Sequence, residues 1–212
     1  MALQQPDPVQ AMTNSSSRHG RRSLLAAWLV GVALLLIGGG AAFVYGWFFE
    51  IGADTPHSNT VFWLMQTVRN RSVAVHAADQ APSDLADPKR IASGAAQYDE
   101  MCTTCHLAPG MKRTEISQGL YPRAPELRRG SRMTAAEQFW VIKHGIKMTG
   151  MPAWGVTHDD EILWDVVAFL GKMPELTAQQ YQDLVKSAPK THSETMQNMD
   201  MKNMNMGGSH NH

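Results

Sequence analysis

Cys102-Thr103-Thr104-Cys105-His106 is the stretch on which the reading of this chain turns. Two thiols at i and i+3 of a helical turn point the same way, and an imidazole follows directly. Cys102 and Cys105 are the only 2 cysteines in the 212 residues. Cys-x-x-Cys-His is the pattern by which a polypeptide attaches a c-type haem, with both sulfurs forming thioethers to the vinyl groups of one porphyrin and the histidine beneath the iron. A redox dithiol or half of a zinc site also uses Cys-x-x-Cys. Structural zinc wants four ligands, however, and no second Cys pair or closely spaced His pair lies nearby. A thioredoxin-like dithiol sits at a strand-to-helix junction, whereas the residues before Cys102 read as helix.

Asp87-Pro88 is a helix start, a capping carboxylate followed by proline at the first helical position. Ile91, Ala95, Tyr98 and Cys102 then share one face, so the helix runs directly into the cysteine turn. From Leu107 to Gly130 the prolines at 109, 122 and 125 and several glycines predict an irregular loop able to wrap a flat cofactor. Thr134 and Glu137 form a capping box, opening a helix with Phe139, Trp140, Val141 and Ile142 that Gly145 stops. Thr157 to Asp160 is expected to open another in the same way, with Ile162, Leu163, Val166, Val167, Phe169 and Leu170 on its apolar side. Thr177 to Lys186 adds a short last helix. The fold class is all-α, and the domain runs over 88–186. A core of that size is marginal alone, and a covalent porphyrin supplies its apolar centre. Tyr98 and Trp164 suit the contact between its first and last main helices.

The partner on the other side of the iron decides the chemistry. Gly150-Met151-Pro152 lies in a loop where glycine allows close approach and proline prevents regular structure, so the Met151 thioether is the leading candidate. Met148 is its rival, and His144 or His158 would give a bis-histidine iron of lower potential.

Leu24 to Phe49 carries no charged residue, and at about 1.5 Å per residue it outruns the roughly 30 Å hydrocarbon layer. Residues 23–50 are therefore expected to form one transmembrane anchor, with a possible kink at Gly38-Gly39-Gly40. Arg18, Arg21 and Arg22 precede it, and Glu50 and Asp54 follow, which keeps residues 1–22 cytoplasmic and places the rest across the membrane. A cleaved signal peptide or the twin-arginine signal suggested by Arg21-Arg22 competes with retention. The stretch is longer than a usual signal core, and Ala53 is not set in an Ala-x-Ala-like site, which favours a retained anchor. Residues 1–22, rich in Gln, Pro and Ser, are expected to be disordered. Residues 51–87 read as an amphipathic helix and a linker, with Val61, Leu64, Met65, Val68, Ser72 and Val75 on one face. Phe62 and Trp63 belong either at the lipid interface or against the haem domain.

Residues 187–212 turn to Met, Asn, Ser, Thr and His and read as a disordered tail. Met196, Met199, Met201, Met204 and Met206, with His210 and His212, are candidate copper ligands, since thioethers suit Cu(I) and imidazole suits Cu(II). A polar low-complexity tail that binds nothing is the alternative. The formal net charge is +0, so no basic excess points to nucleic acid.

The order helix, Cys102-x-x-Cys105-His106, loop, helix, Gly150-Met151-Pro152, helix resembles class I cytochrome c of the bacterial membrane-anchored kind, over about residues 88 to 175. The resemblance implies thioethers at Cys102 and Cys105, His106 and Met151 as axial ligands, and export before haem c is attached. It further implies that Pro109, three residues after the histidine, orients the imidazole through its carbonyl. Arg123 and Trp154 lie where relatives line the haem edge, though each also suits a surface loop. The expected protein is a single-span cytochrome of the bacterial inner membrane with its haem domain on the periplasmic side. It passes one electron at a time between donor and acceptor redox proteins and is not an enzyme by itself, because iron held on both sides has no free position. Alternatives are a haem c subunit of a larger dehydrogenase or terminal oxidase, and a copper-handling cytochrome that uses its tail.

Overall fold

A computed structural model of the chain describes residues 8–46 and 50–188, and among them every regular element is helical. They fall into two compact units that divide after Gly52.

The first unit is one long helix, α1 (Pro8–Tyr45). Its segment Arg22–Tyr45, 24 residues of mean hydropathy 2.2, is long and apolar enough to cross a membrane, and none of it is buried within the protein. The helix passes Gly38-Gly39-Gly40 without interruption. It closes with the Gly46 amide donating to the Ala42 carbonyl (2.8 Å), short of the end expected at residue 50. The N-terminal segment expected to be disordered is helical from Pro8 onward. Once a helix is nucleated, each added residue makes one more hydrogen bond, and proline is tolerated in the first turn.

The second unit begins at Ala53. Ser58 caps α2 (Asn59–His76). Asp87 caps α3 (Pro88–Met101), its carboxylate accepting from the Lys89 amide at 2.8 Å with Pro88 in the first position, as expected. The chain then makes the single turn α4 (Thr103–His106), the short α5 (Glu115–Gly119) and a 3-10 turn (Leu127–Arg129) inside the region expected to be irregular. The capping box of Thr134 and Glu137 opens α6 (Ala135–His144). For α7 (Asp160–Lys172) the N-cap is Asp159, not Thr157. Thr157 closes the 3-10 turn Trp154–Val156 instead, its amide bonded to the Trp154 carbonyl at 3.0 Å. Helix α8 (Ala178–Ser187) follows, opened by a second capping box of Thr177 and Gln180.

Helices α3 and α7 cross closely at Gly94, where any Cβ would overlap the Asp165 carbonyl. Around that crossing lie the fully buried Tyr98, Phe139, Leu163, Phe169 and Tyr181. Tyr98 meets Phe169 across it with ring centroids 5.3 Å apart, while Trp164 stacks on Phe139 of α6 at 4.0 Å and 3°. The two aromatics expected between first and last helices thus divide the work: Tyr98 joins α3 to α7, and Trp164 joins α7 to α6.

Candidate cofactor site

The cysteine turn is held by side chains at both ends. Tyr98 donates its buried hydroxyl to the Leu107 carbonyl at 2.6 Å, and Thr114 donates to the Thr104 carbonyl at 2.5 Å. Leu107 has a φ of 61°, an uncommon backbone for a branched residue. It turns the chain sharply away after His106, and the tyrosine bond fixes the carbonyl of that turn.

Cys102 is buried and Cys105 half-buried, and the two are not disulfide-linked. Burial, reinforced by neighbouring Cys105, pushes the Cys102 thiol up to about 12. Among the described residues no group of three or more His, Cys, Asp or Glu side chains could hold a metal ion. Burial lowers the pKa of His106, outweighing its hydrogen bond to the Pro125 carbonyl. That bond runs from Nδ1 at 2.9 Å. A carbonyl can only accept, so Nδ1 carries the proton and Nε2 keeps its lone pair. The carbonyl expected from Pro109 is therefore supplied by Pro125. Pro109 is itself buried directly after the Leu107 turn, and the loop brings residue 125 back over the imidazole.

Met151 is built into a closed loop. Its amide donates to Thr149 Oγ1 at 3.1 Å, Thr149 donates to the Ile146 carbonyl at 2.8 Å, and the Ile146 amide donates to the Met151 carbonyl at 3.1 Å. Gly145, with a φ of 65°, is needed at the loop's entry because a Cβ there would press on the Met151 and Pro152 carbonyls at 2.7 Å.

Cys102, Cys105, His106 and Met151 all line one cavity of about 360 Å³. Leu120, Ile142, Trp154 and Leu170 contribute to its largely apolar wall. Met148 is 92% exposed and lines a neighbouring cavity, as does His144. His158 lines neither cavity. Arg123 is exposed and does not line the sulfur-bearing cavity, whereas Trp154 does. Two polar residues that the sequence reading passed over, Gln66 and Arg69 of α2, also line it. The tail candidates Met196, Met199, Met201, Met204, Met206, His210 and His212 lie outside the described residues.

These residues fit a covalently held porphyrin. Both thiols, a neutral imidazole and a thioether meet at one largely apolar cavity. Residues 89–170 match the family model described as "Cytochrome C oxidase, cbb3-type, subunit III". The chain contains a monohaem c-type cytochrome domain. No curated protein and no solved structure matches the chain. The cytochrome domain implies covalently bound haem c and haem-based electron transfer with redox protein partners.

Proposed function

We propose that the chain is a membrane-tethered cytochrome that carries single electrons between periplasmic or membrane redox partners, with its haem joined to Cys102 and Cys105 and its iron held between His106 and Met151. The observation that carries this reading is the meeting of those four side chains on one cavity, within the segment that matches the family model. When bound, haem c supplies a one-electron Fe(II)/Fe(III) couple. The chain's own residues do the rest. Pro125 keeps the imidazole in one tautomer and strengthens it as a ligand by accepting from Nδ1. The loop from Gly145 to Met151 presents a thioether, which favours the ferrous state and a higher potential than a second histidine. The apolar wall excludes water, which supports the same preference.

Helix α1 supports the tether, since its Arg22–Tyr45 segment could span a bilayer and its side chains find no burial within its own unit. Residues 1–22 would then be cytoplasmic and the cytochrome domain periplasmic, following the arginines before the span. Holding a carrier at the membrane raises its effective concentration at membrane complexes.

The ferric spectrum tests the ligand assignment. Met151→Ala is expected to lose the weak red charge-transfer band of methionine-ligated ferric haem, and Met148→Ala to keep it. Loss of the band in Met148→Ala with retention in Met151→Ala overturns the assignment. The family description names an oxidase subunit, which favours a second reading: a haem c subunit of a terminal oxidase. Co-purification of a stable oxidase complex through gentle detergent extraction supports that reading, and recovery of the cytochrome alone supports the free carrier.

A further inference from the structure

Helix α2 turns a partly polar face to the domain. Gln66, Arg69, Val73 and His76 lie along one stripe of the helix at i, i+3, i+7 and i+10. Val73 is the helix's buried residue, and Gln66 and Arg69 line the cavity that holds the two cysteines, His106 and Met151. Beyond both ends of this pair α2 is tied down. The His57 amide donates to the Tyr121 hydroxyl at 2.9 Å, and the His76 ring lies 5.9 Å from that of Trp140. Meanwhile Leu64, Val68 and Val75, the apolar face, remain 51%, 57% and 60% exposed. A helix that packs for apolar burial alone would turn Leu64, Val68 and Val75 inward.

The cavity explains the choice. Among the described residues that line it, Arg69 is the only one with a permanent charge. A porphyrin of the c type carries two propionate carboxylates, and a carboxylate in a largely apolar setting needs a cation or several hydrogen bonds. Arg69 gives Nε and Nη2 to Asn70 Oδ1, at 3.1 and 2.8 Å. A guanidinium has five N–H donors in a rigid fork, so the remaining ones can still grip a carboxylate. Gln66, one turn earlier, adds an amide on the same stripe.

Resting on the haem reading above, we propose that Arg69, assisted by Gln66, holds a haem propionate, which makes α2 part of the haem site although it precedes the segment matched by the family model. The test uses the full chain with its haem attached and compares Arg69→Lys, Arg69→Gln and Arg69→Glu with the parent. A cation beside the propionates favours Fe(II). Arg69→Gln is therefore expected to move the Fe(II)/Fe(III) equilibrium toward ferric about tenfold, which is about 59 mV for one electron. Arg69→Glu should move it further in the same direction, and Arg69→Lys should stay within about threefold of the parent because it keeps the charge. The propionate bending band of the resonance Raman spectrum should shift in Arg69→Gln and Arg69→Glu. A potential that does not follow side-chain charge, or a propionate band that stays in place, overturns the assignment. If Arg69→Gln and Arg69→Glu fail to mature while Arg69→Lys matures with parent-like properties, the charge requirement is upheld; if all three fail, it is overturned. A parent polypeptide without covalent haem removes the underlying reading, whereas a coloured parent with a flat series removes only the role of Arg69.

Discussion

Tyr98 shows how much one hydroxyl does in this domain. It is fully buried, and its bond to the Leu107 carbonyl fixes the turn that carries the chain away from His106. Tyr98→Phe keeps the ring against Phe169 but leaves that carbonyl without its donor, which costs about 2 kcal/mol. The denaturant midpoint of the haem-bearing protein should fall accordingly. An unchanged midpoint would mean that the turn is held by other contacts. At this scale the sequence was legible where chemistry is local. The cysteine pair and its histidine share a single turn, and Met151 is marked by the glycine and proline beside it. It was not legible where the partner is distant. Pro125 reaches His106 from 19 positions away, whereas the family resemblance implied Pro109. Arg69 reaches the cavity from a helix that precedes the cytochrome domain, so attention went to Arg123, which stays exposed.

Among the elements, the α3–α7 crossing is the tightest joint. Gly94→Ala would push a methyl group into the Asp165 carbonyl and onto Phe169. Prising the two helices apart should cost about 3 kcal/mol, seen as a lowered midpoint for thermal loss of the haem environment. The same joint carries an ion-pair network. Arg90, largely buried, donates to Asp165 at 2.7 Å, to Glu161 at 2.9 Å and to Asp84 at 3.2 Å. Burial works against the charge on Arg90, but the three carboxylates more than restore it. For Asp165 burial prevails, raising its pKa despite the bonds from Ser93 and Arg90. Arg90→Ala leaves that carboxylate partly buried and unpaired, a loss of about 3 kcal/mol at neutral pH. With its folded pKa raised further above the unfolded value, Asp165 binds a proton more readily in the folded state. The deficit of Arg90→Ala should therefore shrink on acidification, as Asp165 takes up its proton. A deficit that grows on acidification contradicts this account. Helix starts were readable because caps are local signals: Asp87-Pro88 and Thr134 with Glu137 act as expected. Thr157 misled because the one-turn helix before it uses that residue, leaving Asp159 to begin α7. The rotation of α2 was unreadable for a different reason. Phe62 and Trp63 left its facing side open between lipid and domain, and the side that faces the domain covers a cavity whose occupant is not encoded in the chain.

For the molecule as a whole, the division after Gly52 separates a helix whose Arg22–Tyr45 segment has no buried residue from a unit with its own core. The full chain should therefore remain in the membrane pellet after a high-pH carbonate wash, and a version in which a cleavable export signal replaces residues 1–52 should be released as a soluble coloured protein. Release of the full chain by carbonate would contradict the tether. Within the domain the aromatic core surrounds the α3–α7 crossing, and the cavity beside it is lined by the residues able to hold a porphyrin. The central claim is that haem is covalently joined to Cys102 and Cys105. The most direct test is acidified-acetone extraction of the mature protein, purified from a host able to attach c-type haem, followed by the reduced pyridine spectrum of the residue. The account predicts that the colour stays with the polypeptide, with the spectrum of a haem whose two vinyl groups are both saturated. A colourless polypeptide, or pigment that passes into the acetone, would contradict it.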